Sequence, residues 1–272
     1  MKKRERAQIL ENIKIGGGIQ RIRLHAPEIA DTAKPGQFVN LYLPQKQFLL
    51  PRPFGVADAD GQAITLYYMV VGQGTELLSE KKSGHFLDIL GPNGNGYDLS
   101  AMGEHILLAS GGTGIPSLLF AARRLRELIQ KSDSSAKKIT AVTGFRDTAF
   151  LVEEISKYCD QTFVISETDG TQSKPLGMTG NILNLFFALE AGSVKASGLD
   201  KITGCLSCGP MPMLRAMDQW CGDKGIALQV CLEARMGCGM GACVGCTCET
   251  TVGKKKICVD GPVFDAKEVC WV

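Results

Sequence analysis

The sequence lacks the features that place a chain in or across a membrane. None of its apolar runs approaches the roughly 18 residues that a membrane-spanning helix needs. The N-terminus is basic, with Lys2, Lys3, Arg4 and Arg6, but a charged segment follows it instead of the apolar stretch of a secretory signal. We therefore expect neither membrane insertion nor secretion.

The chain also lacks a strong charge bias and any pattern typical of hydrolytic catalysis. Its 272 residues carry a formal net charge of +2, which gives no reason to expect nucleic acid as a partner. The three histidines, His25, His85 and His105, lie far apart, and no Ser/His/Asp or Cys/His arrangement accompanies them. We expect each histidine to be structural.

Cysteine, by contrast, is abundant. The chain has eleven cysteines, an odd number, and no secretory signal precedes them. Disulfide-rich proteins are usually secreted, whereas cytosolic thiols stay reduced and are more often committed to metal. This composition predicts a cytoplasmic protein whose cysteines include metal ligands.

The most specific motif is C-x4-C-x2-C at Cys238, Cys243 and Cys246, followed by Cys258. This is the spacing of plant-type [2Fe–2S] clusters, whereas a zinc ribbon more often shows two C-x2-C pairs. The glycines of this segment let a loop wrap closely round an inorganic core. The pattern favours an iron–sulfur cluster, and structural zinc or unligated thiols are the alternatives.

Cys248 competes with Cys258 for the fourth ligand position. In an extended strand its thiol would point the same way as that of Cys246. We prefer Cys258, because the fourth ligand in this spacing class comes from a separate segment. Four cysteines outside this motif are expected to be core or surface thiols: Cys159, Cys221, Cys231 and Cys270.

The pattern of apolar residues predicts two kinds of architecture. Short alternating stretches separated by turn signals predict an antiparallel β-barrel: residues 19–24, 38–43, 64–71 and 86–90, with one helix near 75–81. Strands then alternate with helices, which predicts a doubly wound parallel sheet: strands 106–109, 138–143, 161–166, 201–207 and 226–230, helices 117–129, 148–158, 179–191 with Thr179 as N-cap, and 212–224. The predicted domains are residues 1–101, 102–230 and a Cys/Gly-rich tail, 231–272.

Two motifs of the barrel suggest a flavin. Arg52 stands before a proline at a strand end, in Arg52-Pro53-Phe54-Gly55, where its guanidinium could meet a phosphate or a flavin ring edge. Tyr68-Met69-Val70 runs into Gly74-Thr75 and a helix start, whose amides would suit a pyrophosphate. Taken alone, the first motif is more often a surface turn and the second a barrel strand with its turn. Residues 91–96 are expected to be only a hairpin or linker turn.

Two strand-to-helix turns of the predicted sheet suggest a nucleotide. The turn Gly111-Gly112-Thr113-Gly114 has the context of a dinucleotide site without the full G-x-G-x-x-G, so a packing turn is the alternative. Cys208 opens a similar turn and would face a nicotinamide, because the carboxyl ends of such strands line the ligand crevice. Cys205 and Cys208 could also form a dithiol pair, although a buried strand cysteine is the favoured interpretation of Cys205.

With these motifs in order, the chain resembles the ferredoxin–NADP reductase superfamily and, with its cluster tail, the electron-transfer subunits of NAD-dependent dihydroorotate dehydrogenases. The resemblance covers essentially the whole chain and is most specific at residues 238–246, 257–264 and 208–213. It implies flavin contacts at Arg52, Pro53, Phe54, Gly55, Tyr68, Met69, Val70, Gly74 and Thr75, and cluster ligation by Cys238, Cys243, Cys246 and Cys258. Gly55 departs from the family pattern, which usually has Ser or Thr there, so a hydroxyl contact to the flavin is missing.

The resemblance also implies a route for electrons. They would pass from the FMN of a catalytic partner subunit to the [2Fe–2S] cluster, then to FAD and to NAD, within a heterotetramer of two copies of each subunit. Dihydroorotate oxidation would belong to the partner, and no catalytic residue is expected here. The alternatives are a self-sufficient NAD(P)H-dependent reductase and a subunit of a bifurcating complex, whose cluster sets often include an acidic ligand. The choice between NAD and NADP stays open, because Arg146 could bind the 2′-phosphate of NADP and Asp147 the ribose hydroxyl of NAD.

Overall fold

A computed structural model describes residues 2–44, 48–131, 137–169, 172, 174, 176, 178–193 and 199–271. The outer limits of the predicted domains, residues 1 and 272, lie outside these ranges. The chain forms two compact units, Met1–Gly96 with Glu233–Val263 and Tyr97–Leu232 with Phe264–Val272. The cysteine motif therefore belongs to the same unit as the N-terminal strands. The division into three domains stays a prediction.

Strands predominate up to residue 93 and after residue 231, and between residues 105 and 231 strands alternate with helices. The strands are β1 Lys3–Gly16, β2 Ile19–His25, β3 Phe38–Tyr42, β4 Arg52–Ala59, β5 Ala63–Met69, β6 Phe86–Asn93, β7 His105–Gly111, β8 Lys138–Phe145, β9 Gln161–Ser166, β10 Gly204–Cys208, β11 Ala227–Cys231, β12 Thr247–Thr250, β13 Gly253–Lys256 and β14 Val263–Asp265. The helices are α1 Pro27–Thr32, α2 Gln73–Ser79, α3 Ile115–Lys131, α4 Val152–Ser156, α5 Ile182–Glu190 and α6 Met211–Asp223. Within the described ranges, no helix has the length and hydropathy required to span a bilayer.

The first unit contains a closed antiparallel barrel in the order β1-β2-β5-β4-β3-β6, which confirms the predicted barrel. The sequence analysis did not identify β1 or β4 as strands. In β1, the more exposed Arg6, Gln8 and Leu10 alternate with Ala7 and Ile9, which are fully buried. This alternation matches the two-residue period of a half-buried strand, and the strand closes the barrel by pairing with β2 and β6.

The second unit is built on a sheet in the order β14-β11-β10-β7-β8-β9. The neighbouring strands from β11 to β9 are parallel, which confirms the doubly wound sheet. The first of them along the chain, β7, lies between β8 and β10, so the strand order reverses at that point. In open sheets of this kind, ligands bind beyond the carboxyl ends of the strands that flank such a reversal. The carboxyl ends of β7 and β10 are therefore the expected ligand crevice.

Two predicted helices differ from the structure. The helix expected over residues 148–158 is reduced to α4, Val152–Ser156, because Leu151 has a left-handed backbone with φ 57° that no right-handed helix contains. The helix expected from Thr179 begins later, at Ile182. Asn181 caps α5 by accepting hydrogen bonds from the amides of Leu183 and Asn184, and Thr179 instead bridges to Ser166 in β9.

Candidate functional site

A hairpin brings the fourth motif cysteine back to the other three. The loop with Cys238, Cys243 and Cys246 leads into β12, and β13 returns antiparallel to it. The backbone amide of Ile257 then donates to the carbonyl of Cys246 at 3.0 Å. Cys258 follows at once, so its thiol lies within hydrogen-bonding reach of the Cys246 thiol.

The loop points backbone amides at the first sulfur of the motif. The amides of Cys243 and Met240 donate to Cys238 Sγ at 3.3 and 3.5 Å, and the Cys243 thiol also donates to it. These donors, led by the Cys243 amide, lower the pKa of the Cys238 thiol from 9.0 to about 6. Amides that stabilise a thiolate would equally stabilise a metal-bound sulfur. The chemistry of this donor set therefore fits an iron–sulfur cluster.

Cys258 and Cys248 differ in their environment. Burial, together with a hydrogen bond to the Cys246 thiol, raises the pKa of the Cys258 thiol to about 11. The Cys248 thiol instead donates to the carbonyl of Lys255 on the other strand of the hairpin, at 3.6 Å, and burial raises its pKa. This contact engages Cys248 with the hairpin and favours Cys258 as the fourth ligand.

The glycines of the loop lie close to a motif sulfur or to a neighbouring side chain. A Cβ at Gly237 or Gly245 would lie 3.4 or 3.7 Å from Cys243 Sγ. At Gly241, with φ +98°, it would lie 2.6 Å from a methyl group of Val259. In the described part of the chain, no three His, Cys, Asp or Glu side chains form a group that could hold one metal ion. A two-iron cluster divides its four thiolates between two irons, so its ligands need not converge on one point.

The barrel holds both ends of the cysteine segment through asparagine side chains. On β3, the buried Asn40 donates from Nδ2 to the carbonyl of Cys238 at 3.1 Å. Asn95 donates from its backbone amide and from Nδ2 to the carbonyls of Gly261 and Asp260 at 2.6 and 2.9 Å, and its Oδ1 accepts from the Val263 amide. No pattern in the sequence predicted either contact. The expectation that residues 91–96 form only a hairpin or linker turn was wrong: β6 continues to Asn93, and Asn95 anchors the segment that follows Cys258.

The predicted flavin residues meet at one end of the barrel. The guanidinium of Arg52 lies against Gly74 of α2, where a Cβ would stand 2.7 Å from Nε. Its Nη1 donates to the carbonyl of Leu50 at 2.6 Å. Thr75 Oγ1 accepts from the amides of Val71 and Gly72 at 2.9 and 3.2 Å, so this hydroxyl shapes the turn before α2. Arg52 therefore places a cation beside the start of α2, and this position is the cationic corner of the site.

The strand that precedes this turn presents apolar surface to solvent. Met69, Val70 and Val71 are exposed by 41%, 42% and 78% of their surface. Tyr68, by contrast, is buried, with its ring centroid 5.7 Å from that of Phe54 and its hydroxyl donating to Asn12 at 2.9 Å. Burial raises the pKa of Tyr68 to about 12. Exposed apolar side chains beside a cationic corner fit an aromatic ring system with a phosphate tail.

Pro53 and Gly55 complete the first flavin motif on β4. Pro53 pairs with Asn40, and Gly55 pairs with Phe38, both across the β3–β4 ladder. Gly55 is exposed, and nothing lies within 4 Å of a Cβ built on it. A serine or threonine would therefore fit at this position, so crowding does not account for the glycine.

The two turns of the predicted nucleotide site pack directly on each other in the second unit. A Cβ at Gly114 would collide with the carbonyl of Cys208, and a Cβ at Gly111 would lie 2.7 Å from Met213 Sδ. Only Gly112, with φ +50°, faces open space on its Cβ side. Gly111 and Gly114 thus serve helix–sheet packing, which is the packing turn that the sequence left open as the alternative. Gly112 and Thr113 remain available to a ligand.

Sequence reasoning missed Tyr97, which lies beneath this crevice. Its buried hydroxyl donates to the carbonyl of Ser207 at 3.4 Å and accepts from Ser117 Oγ at 3.5 Å. Burial raises the pKa of Tyr97 well above its usual 10.0. The tyrosine thus ties the end of β10, next to Cys208, to the first turn of α3. Arg146 and Asp147 follow β8 and are both exposed, and the choice between NAD and NADP stays open.

Known proteins of one kind match this chain over nearly its full length. Residues 233–270 match the family model of the iron-sulfur cluster binding domain of dihydroorotate dehydrogenase B. A protein of Caldanaerobacter subterraneus subsp. tengcongensis named "Dihydroorotate dehydrogenase B (NAD(+)), electron transfer subunit" is 32% identical over 273 residues, 99% of each chain. A protein of the same name from Geobacillus sp. (strain WCH70) is 35% identical over 279 residues, again 99% of each chain.

A solved structure shows the same architecture in a related protein. The structure of an NADH-dependent reduced ferredoxin-NADP oxidoreductase, described in connection with flavin-based electron bifurcation, aligns with a TM-score of 0.79. Its sequence is 27% identical, and the alignment covers 98% of this chain and 90% of that one.

Proposed function

The chain belongs to the family of electron transfer subunits of dihydroorotate dehydrogenase B, and on this premise we propose that it passes electrons from a catalytic partner subunit to NAD. It is the iron–sulfur flavoprotein subunit of an oxidoreductase, with FAD and a [2Fe–2S] cluster as its cofactors. Dihydroorotate oxidation, a step of pyrimidine biosynthesis, takes place on the partner. The observation that carries the proposal is the assembly of Cys238, Cys243, Cys246 and Cys258 from two chain segments.

The chemistry comes from three groups: NAD exchanges hydride, the cluster exchanges single electrons, and the flavin exchanges either. The protein's part is to bind and orient them. Cys238, Cys243, Cys246 and Cys258 ligate the cluster, and the amides of Met240 and Cys243 donate to Cys238 Sγ. These donors favour the negatively charged sulfur and so help to set the cluster's reduction potential.

The barrel residues hold FAD. Arg52 offers its guanidinium to the flavin, and Gly74 with Thr75 forms the start of α2 that receives the phosphates. Pro53, Phe54 and Gly55 on β4 and Tyr68, Met69 and Val70 on β5 line the ring. The exposed apolar surface of Met69 and Val70 supports this placement.

The second unit holds NAD at the carboxyl ends of β7 and β10. Gly111, Gly112, Thr113 and Gly114 form the phosphate turn, in which Gly112 is open to a ligand. Cys208 faces the nicotinamide from the end of β10, and Tyr97 fixes the backbone beside it. This assignment is supported by the reversal of strand order at β7.

The partner is an FMN-containing catalytic subunit, in a heterotetramer with two copies of each chain. Exposed apolar side chains close in sequence to the ligand cysteines support a docking face at the cluster: Met240, Val244 and Val259. A face that brings the cluster near the partner's flavin would shorten the electron path. None of the eleven cysteines, all of which lie in the described residues, forms a disulfide, which supports a cytoplasmic location.

The test is co-expression with a candidate catalytic subunit that binds FMN. We expect the two chains to co-purify and the complex to reduce NAD with dihydroorotate. Reduction by the catalytic subunit alone, without any contribution of this chain, would contradict the proposal.

The structural likeness to a ferredoxin-NADP oxidoreductase supports a second candidate, a reductase subunit of a bifurcating complex. Four cysteines in place of a set with an acidic ligand argue against it. Dihydroorotate-independent oxidation of NADPH by the purified chain and its partner, with reduction of both ferredoxin and NAD, would favour this second candidate.

A further inference from the structure

A single charged side chain connects the two segments that carry the proposed cluster ligands. Lys256 is the last residue of β13 and stands two positions before Cys258. Its ammonium donates to the carbonyl oxygen of Gly241 at 2.7 Å. Gly241 lies in the loop between Cys238 and Cys243. The contact therefore spans from the segment of the fourth ligand to the middle of the loop that carries the first two.

The backbone of Lys256 is fixed on both sides. Its amide donates to Asp260 Oδ2 at 2.7 Å, and its carbonyl accepts from the amides of Val259 and Asp260 at 3.0 and 2.8 Å. It is also the cross-strand partner of Thr247, the residue that follows Cys246. The side chain is half-buried. Because the backbone is already fixed, the contact with Gly241 costs less conformational entropy than that of a lysine on a mobile loop.

The position of this ammonium also has an electrostatic consequence. A [2Fe–2S] core with four thiolates is negatively charged and becomes more so on reduction, and its potential depends on the charges and hydrogen bonds around it. A cation at the cluster loop favours the reduced state and raises the reduction potential. The carboxylate of Asp260 accepts a hydrogen bond from the backbone amide of Lys256.

We propose that Lys256 is a positioning residue for the cluster, which holds the ligand loop through Gly241 and raises the cluster's reduction potential by its charge. The inference rests on the proposed function, because it requires the cluster. The hydrogen bond and the charge of Lys256 can be separated. A glutamine at position 256 can donate to the Gly241 carbonyl but carries no charge, and a methionine supplies neither the hydrogen bond nor the charge.

The variants Lys256→Gln, Lys256→Met and Lys256→Arg are purified anaerobically beside the wild type. Iron and sulfide content is measured, and the reduction potential is followed by the EPR signal of the reduced cluster. We expect Lys256→Gln to keep its iron but to have a cluster of lower reduction potential. We expect Lys256→Met to bind less iron, and its remaining cluster to have a lower reduction potential. Lys256→Arg is expected to restore the potential.

Lys254→Met is the matched control. Lys254 lies on the same strand, is exposed and pairs with Glu249 at 3.3 Å, so its loss removes an equal charge without touching the loop. A wild-type potential and iron content in Lys256→Met, or an equal shift in Lys254→Met, would overturn the inference alone. A wild-type chain that binds no iron and sulfide would overturn the proposed function and the inference with it.

Discussion

The two glycine-rich segments of the molecule use glycine for different physical reasons. In the cluster loop, Cβ atoms at Gly237 and Gly245 would lie against the sulfur of Cys243. In the turn after β7, a Cβ at Gly114 would collide with the backbone of Cys208. In both segments the tightest contacts of such a Cβ are with the protein itself, but of the two only the cluster loop also has glycines beside the sulfur of a proposed ligand. A glycine-rich turn after a strand is weaker evidence for a ligand than a glycine-rich loop among thiols.

The largest expected effect is the loss of a ligand in the cluster loop. We expect Cys258→Ser to abolish the EPR signal of the reduced cluster and most of the bound iron, because Cys258 pairs with Cys246. Cys248→Ser is the control and should keep both, since the Cys248 thiol is engaged with Lys255. The reverse result would show that Cys248 is the fourth ligand.

The next effect separates packing from binding in the nucleotide turn. Gly114→Ala places a methyl group against the Cys208 carbonyl and should destabilise the fold by about 1–3 kcal/mol, the usual cost of overpacking. Gly112→Ala meets open space and should cost only about 1–2 kcal/mol for its left-handed backbone, while weakening NADH binding. Urea unfolding and NADH titration measure the two. Equal NADH affinity in Gly112→Ala and the wild type would remove this glycine from the site.

A smaller effect tests how the barrel supports the cluster loop. Asn40→Ala removes the donor to the part-buried Cys238 carbonyl, which should cost about 1 kcal/mol, the lower end of the cost of an unsatisfied buried group. We expect a loss of that size in unfolding free energy and faster loss of iron to a chelator. Asn181→Ala, which removes the α5 cap in the other unit, should lower stability without changing the rate of iron loss. Equal rates of iron loss in both variants would argue against the role of Asn40.

The smallest effect is expected at Gly55, where the family's flavin motif usually has Ser or Thr. Gly55→Ser places a hydroxyl in open space on β4 and should be tolerated, with a change in stability within about 0.5 kcal/mol. If Arg52 and its neighbours hold FAD, the added hydroxyl should tighten FAD binding, measured by the rate of flavin release. The control is Gly222→Ser, which also places its side chain in open space. Gly16→Ser is not used, because the φ of +121° at Gly16 on β1 would strain a serine. Equal flavin release in both variants and the wild type would place Gly55 outside the site.

How far the sequence predicted the molecule depended on the range of the interactions. The spacing of Cys238, Cys243 and Cys246 is local and characteristic, so it indicated the cluster directly. The barrel and the parallel sheet followed from periodicity, although the alternation of exposed and buried residues in β1 went unrecognised. The support of the loop by Asn40 could not be predicted, because 198 positions separate Asn40 from Cys238. The left-handed backbone of Leu151, which shortens α4, likewise has no signal in the residue type.

The central claim is that the four cysteines bind a [2Fe–2S] cluster in a chain that also binds FAD. The most direct measurement is the content of iron, acid-labile sulfide, flavin and zinc in the chain purified anaerobically. The account predicts about two irons and two sulfides with about one FAD per chain, as this cluster type requires. Bound zinc with no flavin would contradict it.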